Sequence, residues 1–197
     1  SITVNDQRVE IEQLILATPP PVTQKLLTGI PACDDITQQL SRLDYEPVTT
    51  VYLQYPSQTR LPVPMMGLLN STGEWLFDRA HCQQPGLIAV VISAGGSHMA
   101  LEQDQLATTI AGELASLFPD WPAADHVQVI REKRATLRCV VNIDRDRPGI
   151  QTAIPNLRLC GDYVYIEDNQ QPGLPSTLEG AMRSGVKCAL QLIQDKH

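Results

Sequence analysis

No run of apolar residues in this 197-residue chain is long enough to span a bilayer. The longest, Leu87 to Ala94, is bounded by glycines and falls well short of the roughly 20 residues a membrane helix needs. No basic-then-apolar signal segment opens the chain. Basic stripes interleaved with aromatics are also missing. With a formal net charge of -7, the chain lacks the clustered Lys and Arg that phosphate backbones require, which argues against nucleic acid as a partner. Its five cysteines (Cys33, Cys82, Cys139, Cys160, Cys188) include no CxxC pair. An odd count with irregular spacing argues against a disulfide framework and a structural zinc site. The neighbours His81 and Cys82 have no second pair at ligand spacing, so no metal site is expected. Such cysteine usage suits a reduced, cytoplasmic setting.

What is present is ordinary for a globular protein: 43% hydrophobic and 19% charged residues, enough for one good core or two small ones. The chain opens on Ser1 and runs at once into a strand-like pattern, which reads as a segment of a longer protein. Ile2-Thr3-Val4, Asn5-Asp6 and Arg8-Val9-Glu10 read as a hairpin. Leu14 to Ala17 is a continuous apolar run, as expected of a parallel strand buried on both faces. Short helices are expected from Pro21 to about Leu27 and, capped by Asp34 or Asp35, to about Leu43. From Tyr45 the pattern turns to strands: Val48 to Tyr55, Met65 to Leu69, Glu74 to Asp78 and Leu87 to Ser93. Their short connections favour antiparallel neighbours. Leu106, Ile110, Leu114 and Leu117 lie on one face of a helix spanning 101–118. A strand follows from Val127 to Leu137, then a polar loop from Asn142 to Ile154, a strand from Leu157 and a final helix from Ser176 to about Ile193. The fold class is therefore α/β (α+β), with a β-rich middle between two α/β-like ends.

The most informative segment runs from Leu157 to Leu192. A strand breaks at Gly161-Asp162, and after a linking loop a helix begins at Ser176. Ser176 and Glu179 have capping-box spacing. Gly180, Ala181, Ser184, Gly185 and Ala189 leave little side-chain bulk on that helix, so a backbone or a flat ligand can come close. Free N–H groups and the positive dipole end at the helix start suit an electron-rich group. These residues are compatible both with a helix packed tightly on a sheet and with a ligand-facing one.

The whole combination resembles the C-terminal flavin motif of the flavin amine oxidase and phytoene/squalene desaturase superfamily: a Gly-Asp, a gap, then EGAxxSGxxAA. The matching residues are Gly161, Asp162, Glu179, Gly180, Ala181, Ser184 and Gly185, with Cys188-Ala189 in place of the usual Ala pair. Further blocks, Tyr45 to Pro56, Gly73 to Arg79, Gly86 to Leu101 and Arg131 to Thr136, look like the subgroup of squalene-associated desaturase-like flavoproteins. The resemblance covers nearly the whole chain.

It implies an FAD-dependent oxidoreductase acting on a squalene-type polyisoprenoid, with reduction of hydroxysqualene to squalene in hopanoid synthesis as the favoured activity. Flavin amine oxidase and carotenoid or phytoene desaturase are the alternatives within enzymes. A non-catalytic binding module that keeps the fold is the alternative outside them. By the same resemblance, Gly161 and Asp162 sit by the pyrophosphate and ribityl portion of FAD. Ser176, Thr177, Leu178, Gly180 and Ala181 form the helix start facing the pyrimidine edge of the flavin, with the N–H groups around Thr177 and Leu178 toward N1 and the C2 carbonyl. No catalytic residue is assigned. The implied organisation is an FAD-domain remnant and crossover at 1–44, a substrate domain at 45–140, and a C-terminal segment of a Rossmann-like FAD domain at 141–197. The Gly-rich dinucleotide fingerprint GxGxxG occurs nowhere in the chain, so its cradle is expected in an N-terminal FAD-binding half, the implied partner. Alone, the chain is expected to be inactive and free of FAD. A cytoplasmic location with peripheral contact to a membrane would fit such a substrate. Arg131, Glu132, Lys133 and Arg134 read either as a solvated mixed-charge strand or as a face turned to the flavin or substrate entrance. Asp78 and His98 read as cavity or as structural residues.

Overall fold

The computed structural model describes residues 1–167 and 173–195. Strands β1 (Ile2–Val4) and β2 (Gln7–Val9) pair antiparallel. Asn5 and Asp6 between them have φ of 49° and 62°, the left-handed geometry that a two-residue hairpin turn requires and that these two side chains tolerate. Strand β3 (Leu14–Leu16) and helices α1 (Pro20–Leu27) and α2 (Asp34–Ser41) follow. Pro20 and Pro21 occupy the first turn of α1, where a missing N–H costs no hydrogen bond. Asp34 and Asp35 do not cap α2 as expected. They fall inside its first turn, after Cys33 at the cap position, and there favour the positive end of the helix dipole. Then come β4 (Tyr45–Gln54), β5 (Met65–Gly67), β6 (Trp75–Asp78), β7 (Leu87–Ser93), α3 (Gln103–Leu117), β8 (His126–Leu137), β9 (Leu157–Leu159) and α4 (Leu178–Gln194). The chain forms two compact units, one from residues 1–44 and 137–197, the other from 45–136.

The 45–136 unit is a five-stranded sheet of order β5-β6-β7-β4-β8, with antiparallel pairing of β5 to β6, β6 to β7 and β7 to β4. Alternation sends Val51, Leu53, Leu76, Ile88, Val90 and Ile92 to one face, where they form a core with Leu106, Ile110 and Leu114 of α3. Leu117, the last residue of α3, is 46% exposed and does not join that core. A capping box opens α3, with Glu102 and Gln105 bonding each other's main chain. Later in the helix, Glu113 accepts hydrogen bonds from Ser71 Oγ (2.5 Å) and the N–H groups of Thr72 (2.8 Å) and Gly73 (3.2 Å), which ties the β5–β6 turn to it. Burial opposes the charged form of Glu113, but these three donors win and hold its carboxyl below the usual range. On the sheet face opposite α3, Met65, Phe77, Ala89 and Tyr52 stand side by side across four strands. Beside them run Trp75, Val91 and Thr50, with the Trp75 ring over Gly67.

The other unit is built on a two-stranded parallel sheet, β3 with β9, in the register Leu14–Leu157. The apolar run at 14–17 is thus parallel, as expected, but not covered on both faces. Leu16 enters the core while Ile15 is 39% exposed. Around the pair, Leu27, Cys33, Ile36, Leu40, Leu159, Tyr163, Val164, Ile166 and Cys188 complete the core. Helix α4 contributes Gly180, Ser184 and Cys188 to the buried side, four residues apart and so on one stripe. Small residues do not all share that stripe: a side chain at Gly185 would meet open space, and Ala189 is exposed. Among the described residues no helix is long and apolar enough to cross a membrane.

Candidate functional site

Strand β9 is followed by Cys160, whose N–H bonds the carbonyl of Leu16. Gly161 then turns the chain with φ of +152°, a conformation open to glycine and little else. A Cβ there would lie 2.6 Å from the Tyr163 ring. Ser184 of α4 pins this turn: its Oγ accepts from the Gly161 N–H at 2.8 Å and lies 3.0 Å from the Gly161 carbonyl. Asp162, next along, has its carboxylate 2.5 Å from Ser176 Oγ, which donates to it. The structure therefore brings the Gly-Asp strand end and the start of α4 together.

The start of α4 differs from the capping box expected at Ser176 and Glu179. The N-cap is Thr177, whose Oγ1 accepts the Gly180 N–H at 3.0 Å. The physical reason lies in Asp162: a hydroxyl facing a carboxylate makes a short charge-assisted bond, so Ser176 is taken and the cap moves on by one residue. Glu179 does not reach back, and pairs instead with Arg183 at 2.8 Å. Ala181 closes the first helical bond to the Thr177 carbonyl at 2.9 Å. Gly180 is buried, and any Cβ on it would stand 2.5 Å from the Pro175 carbonyl oxygen. Leu178 is 88% exposed.

Sequence reasoning missed Arg147, which looked like one more polar residue of a loop. Its side chain is 3% exposed. Nε donates to the Tyr163 carbonyl at 3.3 Å, and Nη1 to Asp144 Oδ1 at 2.9 Å and the Leu174 carbonyl at 2.8 Å. Nη2 donates to the carbonyls of Asp162 and Val164, both at 3.0 Å. No periodicity could have revealed it, because four of its five partners are main-chain carbonyls of another segment. Tyr163 is also fixed. Its hydroxyl lies 3.1 Å from Thr23 Oγ1, and burial, followed by the charges of Cys160 and Asp162, pushes its pKa up to about 12 despite the bond to Thr23.

Several main-chain donors here have no acceptor among the described residues. Two are the N–H groups of Leu178 and Glu179, which precede the first helical bond of α4. Another is the N–H of Tyr163, which has no acceptor among the described residues although the residue is 1% exposed. A buried unpaired N–H is rare, and next to a helix start it suits an electron-rich or anionic group. The pyrimidine edge of a flavin and the oxygens of its phosphate chain are such groups, so these residues fit the expected cofactor.

The remaining candidates fall elsewhere. Asp78 is buried and accepts from the N–H groups of Leu61 (3.1 Å) and Ala80 (2.9 Å), a turn-forming role. His98 is buried with no hydrogen bond at Nε2, and burial, then the Arg131 charge, lowers its pKa. Arg131 donates to the carbonyls of His98 (3.2 Å) and Leu101 (2.6 Å). Glu132 and Arg134 are exposed, the Arg134 N–H bonding Glu132 Oε1 at 2.9 Å. Among the described residues no three His, Cys, Asp or Glu side chains gather as a metal site would require.

The family model described as flavin containing amine oxidoreductase matches residues 1–193. The chain is 30% identical over 184 residues to the hydroxysqualene dehydroxylase of Rhodopseudomonas palustris, covering 90% of this chain and 38% of that protein. It is 25% identical over 218 residues to the 15-cis-phytoene desaturase of Glycine max, covering 97% of this chain and 35% of that one. A solved structure from Exiguobacterium sp. 255-15, assigned as a protoporphyrinogen oxidase, matches with a TM-score of 0.65 at 13% identity, covering 94% of this chain and 41% of that chain. At that identity the likeness is one of fold. The chain spans less than half the length of these relatives.

Proposed function

Because the chain belongs to the family of flavin-containing amine oxidoreductases, we propose that it forms the flavin-facing and substrate-facing part of an FAD-dependent oxidoreductase acting on a squalene-type polyisoprenoid, with hydroxysqualene its substrate. The observation that carries the flavin part is the meeting of Asp162 with Ser176 at 2.5 Å, which sets a strand-end carboxylate beside the start of α4. Asp162 would hold the ribityl portion of FAD, and the N–H groups of Leu178 and Glu179 the pyrimidine edge. FAD, when bound, supplies two-electron chemistry by exchanging hydride with an allylic carbon. The open N–H groups at the start of α4 favour negative charge at the edge they face. On the substrate side, the uncharged row of Met65, Phe77, Ala89 and Tyr52, with Trp75 beside it, suits a long hydrocarbon.

Similarity to the dehydroxylase of Rhodopseudomonas palustris supports hydroxysqualene, and that to the Glycine max desaturase supports phytoene as the second reading. The missing dinucleotide cradle would come from an N-terminal FAD-binding half. Its docking would cover the exposed stripe of Leu178, Met182, Val186, Leu190 and Ile193 on α4 and the open edge of β3. Without it the chain should purify colourless, and a yellow preparation with one FAD per chain would count against this division of labour. The decisive assay gives the FAD-loaded protein hydroxysqualene plus reductant, phytoene plus an electron acceptor, and simple amines, in separate reactions. Squalene from the first supports the proposal. Desaturated product from the second replaces it with the alternative, and a complete protein that takes up no FAD rejects both. Asp162→Ala should weaken FAD retention roughly ten- to a hundredfold while leaving the fold intact, since it removes a contact worth about 1.5–3 kcal/mol. Dialysis followed by flavin absorbance measures it.

A further inference from the structure

An arginine side chain has five N–H groups, and all five of Arg147 have acceptors: Asp144 and the carbonyls of Asp162, Tyr163, Val164 and Leu174. Asp144 neutralises its charge. The four carbonyls lie on the two arms of the linking segment between β9 and α4, so one guanidinium gathers both arms. In a trans peptide unit the C=O and N–H point in opposite directions, and no cis bond occurs among the described residues. The grip on the carbonyls of Asp162, Tyr163 and Val164 therefore turns the N–H that follows each of them away from the guanidinium, while Leu174 precedes Pro175, which has no N–H. The Val164 N–H so turned meets the Gly161 carbonyl at 3.3 Å, and that of Tyr165 meets the Pro148 carbonyl at 2.8 Å. The Tyr163 N–H, turned by the grip on the Asp162 carbonyl, meets no acceptor among the described residues.

We propose that Arg147 is a positioning residue of the flavin site. It fixes the Asp162–Tyr163 peptide so that the Tyr163 N–H, beside the carboxylate that Ser176 holds, is presented to an oxygen of bound FAD before the cofactor arrives. The proposal rests on the reading of Asp162 and the α4 start as flavin contacts. Its energetic logic is preorganisation: a donor fixed in advance loses no freedom on binding. Lysine cannot replace this residue, because an ammonium has three donors and no planar fork to span four carbonyls.

Arg147→Lys tests it in two arms. In the flavin-free chain, amide hydrogen exchange should accelerate about tenfold or more in 162–166 and 174–181 while β4 and β7 stay protected. In the FAD-loaded protein, the dissociation constant for FAD should rise about tenfold, a loss of roughly 1.4 kcal/mol, with a shifted flavin absorbance. Unchanged exchange overturns the proposal. Faster exchange with unchanged FAD affinity and spectrum overturns it too, by leaving Arg147 as a brace alone. Should Arg147→Lys fail to fold, Asp144→Asn, which leaves the four carbonyl bonds in place, must give a smaller acceleration confined to the same two segments. A uniform acceleration or none is the contrary result. If Asp162→Ala binds FAD as tightly as the unaltered protein, the flavin assignment of this site has failed and the proposal falls with it, while the exchange arm still reports whether the clasp exists.

Discussion

Two ionisable residues, the buried Tyr163 and the half-buried Glu113, set opposite edges of the stability profile. Tyr163 has its pKa raised from 10.0 to about 12, chiefly by burial. A raised acid holds its proton more tightly when folded, so its contribution is complete below pH 10 and is lost as pH rises toward 12. Tyr163→Phe should flatten the alkaline fall in stability across that window, at a cost of about 1 kcal/mol at neutral pH for the lost bond to Thr23. Denaturant titrations at several alkaline pH values measure both. Glu113 works in the other direction. Its carboxyl is held below 4.5, burial being outweighed by bonds from Ser71, Thr72 and Gly73. Its stabilisation is present above that value and is lost as pH falls through the lowered pKa. Glu113→Gln should cost about 1–2 kcal/mol at neutral pH and weaken the acid dependence, so a mutant as acid-sensitive as the parent would remove Glu113 from this role.

At the scale of elements, α4 separates two jobs that adjacent hydroxyls perform. Thr177→Ala removes the cap and should cost about 1 kcal/mol of stability with little change in FAD affinity. Ser176→Ala keeps the cap but releases the Asp162 carboxylate, so FAD retention should suffer more than the melting temperature. Calorimetry and flavin titration of both variants would show this crossed pattern, and equal effects on both readouts would refute it. The sequence carried much of this region. The Gly-Asp break, the small residues and the helix start were all visible, because each is a local pattern. The choice of Thr177 over Ser176 was not, since it turns on a carboxylate that only the fold brings near. Arg147 was less legible still, because a buried arginine bonded to carbonyls leaves no periodic trace. In the sheet, alternation in β4 and β7 gave strands and faces directly. The exposure of Ile15 escaped a reading that took the apolar run of β3 as buried on both faces.

For the whole molecule, the contiguous unit at 45–136 has its own core and capped helix. Expressed alone, it should unfold in one cooperative transition, and a non-cooperative melt would contradict its independence. The other unit presents the apolar stripe of α4. Met182→Lys with Val186→Lys, at 74% and 61% exposure, should reduce self-association of the chain in sedimentation while leaving its stability within about 0.5 kcal/mol. This unit also has a particular history during synthesis. Thr23 and its partner Tyr163 are 140 residues apart, and β3 waits for β9 across a similar span. At roughly 5–20 residues per second, β3, α1 and α2 leave the ribosome on the order of ten seconds before β9 and α4, with which they share a core. The 45–136 unit can fold in that interval. Until then Leu16 and Leu27 lack the cover that Leu159, Tyr163 and Cys188 provide, and a chaperone holding this segment would bridge the interval.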